Sequence, residues 1–406
     1  MSNAMPRLTI AADAEITSAP PFPTSHWLTS LYRQVLTRHA RLLGPDAEAD
    51  RRCAIMPEAW AAPCPSARLL IDSGWGADAD FWAFVLPTLR CDDAVLVASD
   101  VCCELFERLC TSQRPQIYRV PFCVNLEMFC PDAREARRPS LCAELGLDPQ
   151  APLLLTVSSF LVDKNLEHAV DLAASVRERL GHCQLVVITA RPDHDGARER
   201  LLAHAQARGM AADLRLLSEQ PSSRIAAFMA AADALVHLST CRIENFGYVI
   251  AEALACGLPV LASDWGGFRD LVREGENGHL ATTVFEASGP TVRWRELIEP
   301  AVELLCSPAT RERLGLAGRS FAERELSFAR FERDVCKVLK DVQHGFGASA
   351  PAELSEAGKA IQAAAIILRA TQPELSGTGA QFRALLDFDG GKTATLLRGA
   401  AASRPT

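Results

Sequence analysis

The fold is decided by the stretch from Ser239 to Gly278, which reads STCRIENFGYVIAEALACGLPVLASDWGGFRDLVREGENG. Within it, GYVIAEALA has the apolar spacing of a helix, and Gly257 followed by Pro259 is typical of a helix end. LPVLAS is a short apolar run that predicts a buried strand, and GGFRDLV predicts a turn that leads into another helix. A helix followed by a buried strand indicates a βαβ unit and therefore a parallel sheet.

The same alternation continues outward from this stretch. The apolar segments PLLLTVSSF, CQLVVITA, DLRLL and DALVHLS are separated by segments with helical period, and ARLLIDSGWG and QIYRVPF predict further strands near the amino terminus. We therefore predict an α/β protein with two Rossmann-like, doubly wound domains. The predicted parts are a segment resembling an expression scar (1–4), an amino-terminal domain (5–135), a linker (136–150), a second domain (151–325), a helix crossing back to the first domain (326–345) and a partly helical carboxy-terminal appendage (346–406).

Composition excludes several classes of protein. Of the 406 residues, 49% are apolar and 23% are charged, which excludes intrinsic disorder and fibrous repeats. The net charge of −8 argues against binding to nucleic acid, and no apolar run reaches the length of a transmembrane helix. The 14 cysteines include no CxxC pair, so we interpret them as reduced and buried rather than as zinc ligands. We expect a soluble, cytoplasmic protein without a metal site, and its oligomeric state stays open.

Two glutamates concentrate the chemistry of the quoted stretch. Glu244 precedes the predicted helix, whose first backbone N–H groups favour an anion such as a diphosphate if the helix begins near Phe246 or Gly247. Glu252 lies deeper in the helix and can accept hydrogen bonds from two neighbouring hydroxyls, as a ribose offers. The alternative is that Glu244 caps the helix and Glu252 is a surface acid. Because the helix face around Glu252 is apolar, a carboxylate there favours a specific partner.

The pattern E-N-F-G-Y-x-x-x-E-A-x-A-x-G-x-P-V, followed by a GG turn and G-x-N-G, resembles the donor-site signature of retaining GT-B glycosyltransferases, in particular family 4. The resemblance extends over residues from about 90 to about 343 and implies an active site in a cleft between the two domains. It also implies roles for seven residues of this stretch. Glu244 would contact the transferred sugar, Glu252 the ribose, the amides of Asn245, Phe246 and Gly247 the diphosphate, and Gly266 with Gly267 the cleft wall.

A lysine and a missing arginine complete the predicted donor site. Lys164, in SSFLVDKN, matches a family lysine that neutralises the leaving diphosphate. The family's arginine, about five residues earlier, is replaced here by Ser158, Ser159 and Phe160, and we assign Ser159 to the donor site. Arg191, after the next strand, is a candidate replacement for the lost cation.

The acceptor side is less typical of the family. Its first loop, SAPPFPTSH, has no glycine, and the strand LLIDSGWG has Asp72 and Ser73 where a histidine is expected. His26 and Asp72 are the candidate residues on this side.

The sequence therefore predicts a retaining glycosyltransferase. It would move a sugar from a nucleoside-diphosphate donor to an acceptor hydroxyl with no cofactor and no metal, because Lys164 and helix N-termini supply positive potential. One alternative is a homologue that binds nucleotide sugars without turnover. A GT-B nucleotide-sugar epimerase fits less well, because the E-x7-E signature is that of the transferases. The base and sugar of the donor and the identity of the acceptor stay undecided.

Overall fold

The computed structural model divides the chain into two units, one formed by Met1–Phe122 with Ala329–Thr406 and the other by Cys123–Phe328. The structure describes residues 7–10, 23–43, 51–55, 67–71, 86–131, 134–189, 196–241, 244–286, 289–343, 350–360 and 362–363. Among these residues, no helix has the length and apolar character needed to cross a bilayer.

The first unit contains a parallel six-stranded sheet in the order β2-β1-β3-β4-β5-β6. β2 and β3 were not predicted, because both begin with arginine and are too short for a clear period. The elements are β1 (Arg7–Ile10), α1 (Pro23–His39), β2 (Arg41–Leu43), β3 (Arg51–Ile55), β4 (Ala67–Ile71), β5 (Ala94–Val97), α2 (Asp100–Leu109) and β6 (Gln116–Arg119).

The second unit contains a parallel sheet in the order β12-β11-β10-β7-β8-β9. Its strands are β7 (Leu153–Ser158), β8 (Gln184–Thr189), β9 (Leu214–Leu217), β10 (Ala234–His237), β11 (Val260–Ser263) and β12 (Gly278–Ala281). Counted within the unit, this is the 3-2-1-4-5-6 order of dinucleotide-binding folds, in which the order of successive strands along the sheet reverses between β7 and β10, although all strands run parallel. Ligands bind such sheets outside the carboxyl ends of the strands at that reversal.

Helices follow the strands of the second unit as the sequence predicted, and a hairpin is added. Every residue of β7 and β8 is buried, which explains their strong apolar signal. β12 and the antiparallel hairpin of β13 (Thr283–Glu286) and β14 (Gly289–Val292) were not predicted. The helices are α3 (Arg134–Leu145), α4 (Leu166–Leu180), α5 (Ala197–Ala207), α6 (Ser222–Ala231), α7 (Tyr248–Ala255), α8 (Phe268–Leu271), α9 (Ile298–Cys306) and α10 (Pro308–Glu325).

The expected linker 136–150 differs in the structure, where it belongs to the second unit and is largely helical as α3. The side chain of Arg138 is buried, lies 3.0 Å from Asp233 and donates to the carbonyl of Ala231 at 2.9 Å. Leu141 and Cys142 are also buried. One arginine of the expected linker therefore forms a buried ion pair within the second unit, which the composition of the segment does not indicate.

Two carboxy-terminal segments belong to the first unit. Helix α11 (Phe328–Gln343) is part of it from Ala329 onward, and its Phe331 ring lies edge-on to Tyr32 at a centroid distance of 5.0 Å. Farther on, Pro351 and Leu354 form β-bridges with Arg90 and Cys110. The described part of the expected appendage is therefore paired with the first unit.

Candidate functional site

The site lies where two loops of the second unit meet at the β7–β10 reversal. The Asn165 amide donates to the carbonyl of Leu238 at 2.8 Å, and the Thr240 backbone N–H donates to the carbonyl of Asp163 at 2.7 Å. These bonds tie the loop after β7 to the loop after β10. They bring Lys164, at the end of a short 3-10 turn, beside the start of the quoted stretch.

Lys164 and Glu244 form an ion pair, in which the lysine Nζ donates to Oε1 of the glutamate. Both side chains are largely buried, with 12% and 15% of their surface exposed. Ser239 Oγ donates to the same oxygen at 3.2 Å, and His237 Nε2 lies 3.9 Å from it. Three groups from two loops and a strand therefore surround one carboxylate oxygen.

The ion pair is stable across neutral pH. Burial by itself would raise the pKa of Glu244, but Lys164 and His237 outweigh it, so this pKa lies well below its ordinary value. Burial likewise opposes the charge of Lys164, but Glu244 raises the pKa of the lysine to about 12. Both groups are therefore charged under physiological conditions.

Helix α7 begins beside this pair, at a position that requires glycine. Gly247 precedes the helix with φ of 95°, and a Cβ there would lie 2.7 Å from the Phe268 ring. The first N–H groups of a helix have no partner within it and attract anions. Asn245 Nδ2 is buried and has no hydrogen-bond partner among the described residues, and the neighbouring Phe246 is buried.

The Gly266–Gly267 turn packs against the backbone of the loop that leads into α7. The Gly267 N–H donates to the carbonyl of Glu244 at 3.1 Å. A Cβ on Gly266 would overlap that carbonyl, and one on Gly267 would overlap the carbonyl of Asn245. Glycine is therefore needed at both positions for the two backbones to approach each other.

Glu252 is the fifth residue of α7, and its carboxyl group forms no hydrogen bond or ion pair with a residue that the structure describes. Burial raises the pKa of Glu252 to about 8. A carboxyl group that is partly buried and has no partner among the described residues favours hydrogen bonds with a polar ligand.

The other predicted residues are placed only in part. Ser159 follows β7, and its carbonyl accepts a hydrogen bond from the Leu161 N–H at 2.9 Å. The neighbouring Ser158 Oγ is buried and without a partner among the described residues. Arg191 and Asp72 lie outside the described residues.

His26 is placed by its backbone alone. The sequence placed it in the first loop, but it lies in helix α1, which begins at Pro23. Proline is favoured at the first helical position because its φ is already helical, which explains the earlier start. The side chain of His26 is outside the described part of the structure.

Sequence reasoning missed His237 and Ser239 as partners of Glu244. A signal was present, since both are among the last three residues of DALVHLS and therefore lie at the carboxyl end of a predicted strand. What the sequence could not supply is the contact of these residues with one oxygen atom.

The described residues include no cluster of three or more histidine, cysteine, aspartate or glutamate side chains suited to a metal. The cysteines in this part of the chain are free. Burial raises the pKa of Cys53 and Cys183 to about 12, so these thiols stay protonated. They have the character of buried apolar residues rather than ligands.

Comparison with known proteins relates the segment that carries this site to one family. Residues 138–317 match the model described as glycosyl transferases group 1, and this range includes Lys164, Glu244 and Glu252. α-Maltose-1-phosphate synthase of Mycobacterium tuberculosis is 31% identical over 221 residues, which are 54% of this chain and 55% of that protein. D-inositol 3-phosphate glycosyltransferase of Actinosynnema mirum is 31% identical over 228 residues, or 55% of this chain and 51% of that protein. The chain therefore spans about half the length of these curated relatives.

Solved structures resemble a larger part of the chain. Sucrose-phosphate synthase from Thermosynechococcus elongatus superposes with a TM-score of 0.64 at 17% identity, over 84% of this chain and 99% of that one. Anabaena HepE, solved in complex with UDP and glucose, superposes with a TM-score of 0.63 at 16% identity, over 83% and 100%. These likenesses confirm the predicted fold class, GT-B with two Rossmann-like units.

Proposed function

We propose that the protein is a retaining glycosyltransferase that moves a sugar from a nucleoside-diphosphate donor to an acceptor hydroxyl. The observations that carry the proposal are the Lys164–Glu244 ion pair beside the amino end of α7 and Glu252 farther along the same helix, which has no partner among the described residues. Together they supply one ammonium group, the backbone N–H groups of a helix start and two carboxyl groups in different environments.

Each group fits one part of such a donor. The diphosphate would lie at the first turn of α7, near Lys164, where the helix dipole and the ammonium group stabilise the charge of the leaving nucleoside diphosphate. Glu252 would accept hydrogen bonds from the ribose, and Glu244 would contact the transferred sugar. In this proposal no metal is needed, because the helix end and Lys164 provide the positive potential.

A uridine nucleotide is the first donor to test. Anabaena HepE was solved with UDP, and the matched relatives carry the names of sugar-transferring enzymes. In this chain the amino end of α7 would bind the diphosphate, which UDP, GDP, ADP and TDP sugars share. The base of the nucleotide would be recognised by other residues than those at the amino end of α7.

The second candidate function is that of a homologue that binds nucleotide sugars without turnover. It is favoured by Ser158 and Ser159, which stand where the resembling family carries an arginine. With one cation fewer, the leaving diphosphate would be stabilised less well, so donor binding could persist while transfer is slow.

Binding and turnover are measured separately to test the proposal. A thermal-shift panel of UDP-, GDP-, ADP- and TDP-sugars identifies the donor, since a ligand that binds the folded protein raises its melting temperature. Glu252→Ala should weaken donor binding by about tenfold, the value of about one hydrogen bond. Glu244→Ala should lower turnover by about 100-fold with smaller effects on donor binding.

The control is Glu299→Ala, because Glu299 is an exposed glutamate paired with Arg179 on the surface of the same unit. It should leave both measurements unchanged. Full activity in both site variants would overturn the assignment of the site. Donor binding without hydrolysis or transfer across many acceptors would favour the binding-only candidate, and anomer analysis of any product tests retention.

A further inference from the structure

Glu244 has partners from two different directions. Lys164 reaches it from the loop after β7, whereas His237 and Ser239 reach it from β10 and the residues that follow. His237 is the last residue of β10 and is only 5% exposed. Its ring lies edge-on to Phe268 at a centroid distance of 5.2 Å.

Two negatively charged groups would compete for Lys164. Its ammonium group is already neutralised by Glu244, yet a bound diphosphate would attract it as well. If the lysine turns toward the phosphate, Glu244 loses its strongest counter-charge in a largely buried position. An unpaired buried carboxylate either takes up a proton or moves toward water, and both responses would remove it from the sugar.

The groups around the ion pair differ in which of its two residues they stabilise. Asp163 and Cys241 lie near the pair, and their influence falls on Lys164, whose positive charge they favour. Toward Glu244 itself, the groups that favour the ionised form are Lys164 and His237. Ser239 adds a hydroxyl donor at 3.2 Å but no charge.

Resting on the proposed function, we propose that His237 is a positioning residue that keeps the Glu244 carboxylate ionised and in place while Lys164 is shared with the diphosphate of the donor. The histidine is well suited to this because its ring is held on a strand and against Phe268, the residue that also closely approaches Gly247. A rigid neighbour loses little conformational freedom when Lys164 moves.

Kinetics with UDP-glucose test the proposal in the reaction. His237→Leu removes the ring nitrogen but keeps an apolar side chain, and it should lower kcat by about tenfold while KM for UDP-glucose stays within about threefold. The acid limb of the kcat/KM profile should move to higher pH, because Glu244 then takes up a proton more easily. His237→Gln, which retains a donor group, should recover part of the loss.

The matched control is His204→Leu, because His204 also contacts an acid, Asp171, at 2.9 Å in the same unit but far along the sequence from the ion pair. It should leave kcat, KM and the pH profile unchanged. If wild-type protein turns over and His237→Leu has an unchanged kcat and acid limb, the role of His237 is wrong while the proposed function stands.

A second measurement needs no activity. Urea unfolding midpoints of wild type, His237→Leu, Glu244→Gln and the double variant form a cycle. His237→Leu should lower the midpoint when Glu244 is present and have a smaller effect when glutamine replaces it. Additive midpoints would overturn the contact between these two side chains. A protein that transfers no sugar but shows this coupling would contradict the proposed function alone.

Discussion

The pKa of Glu252 in the folded protein lies far above the ordinary value of a glutamate. The unfolded chain ionises this group near 4.5, whereas burial raises the pKa in the folded protein to about 8. Between these values the folded state holds a proton that the unfolded state has released, so stability falls as the pH rises from about 4.5 to about 8. Glu252→Gln removes this dependence because glutamine does not titrate.

We therefore expect Glu252→Gln to melt near the wild-type temperature at pH 4.5 and above it at pH 8. Differential scanning calorimetry across this range measures the difference, with Glu299→Gln as the exposed control that should follow the wild-type curve. Parallel curves for wild type and Glu252→Gln would contradict the raised pKa.

We expect the effects of substitutions at Lys164 and Glu244 on stability to be coupled, because each residue neutralises the other in a largely buried place. Lys164→Met or Glu244→Gln alone leaves one buried charge without its partner and should cost about 3 kcal/mol, the low end for breaking a buried pair. The double variant should cost less than the sum of the two. Equilibrium urea unfolding measures the three values, and strict additivity would argue against the ion pair.

The contact between Lys164 and Glu244 also marks the limit of sequence reasoning about single residues. Glu244 was predicted as a site residue from its position before a helix, and Lys164 from its match to a lysine of the resembling family. They are 80 positions apart, and no local pattern reports that one carboxylate oxygen is shared by residues from different loops.

At the scale of elements, the start of α7 depends on glycines that let two backbones approach. A Cβ on Gly267 would overlap the carbonyl of Asn245, although the φ of Gly267 is −71° and suits any residue. The requirement is therefore steric. Gly267→Ala should displace the loop that leads into α7 and weaken UDP binding by about tenfold or more, because misplaced donor groups lose most of their value.

The matched control for Gly267→Ala is Gly181→Ala at the end of α4. Gly181 has φ of 81° and no atom within 4 Å of its expected Cβ, so alanine there pays backbone strain of about 1 kcal/mol without a clash. It should lower the melting temperature slightly and leave UDP binding unchanged. Calorimetric titration compares the two, and equal affinities would show that the Gly267 turn tolerates a side chain.

The strands differ in how far local sequence could predict them. β7 and β8 are buried along their whole length, so their residues are apolar throughout and the prediction was straightforward. β2 and β12 are three and four residues long, RLL and GHLA, and become strands because of the neighbours they pair with. Pairing partners are a property of the sheet and leave little trace in so short a segment.

Over the whole chain, the two units differ in whether sequence or only structure resembles known proteins. The sequence match to glycosyl transferases group 1 covers residues 138–317, which lie in the second unit, whereas the structural likenesses extend over more than four fifths of the chain. The candidate donor residues are accordingly in the unit with both kinds of support. The proposed acceptor residues His26 and Asp72 belong to the first unit, where they stay predictions.

The carboxy-terminal segment gives the last prediction, because it is part of the first unit rather than an attachment to it. The backbone N–H groups of Cys91 and Thr111 donate to the carbonyls of Ala350 and Glu353, both at 2.8 Å. Ser355 N–H donates in turn to the carbonyl of Leu109 at 3.0 Å. These bonds satisfy groups at the end of α2 and before β5 that would otherwise need water.

A chain ending at residue 349 should therefore lose stability relative to one ending at residue 363, by several degrees in the calorimetric transition of the first unit. The chain ending at 363 is the control because it keeps every one of these bonds. The Lys164–Glu244 pair lies in the other unit, so UDP affinity in both chains should follow the full-length value. Identical transitions for the two shortened chains would mean that residues 350–363 contribute no net stability, since solvent then satisfies the same backbone groups equally well.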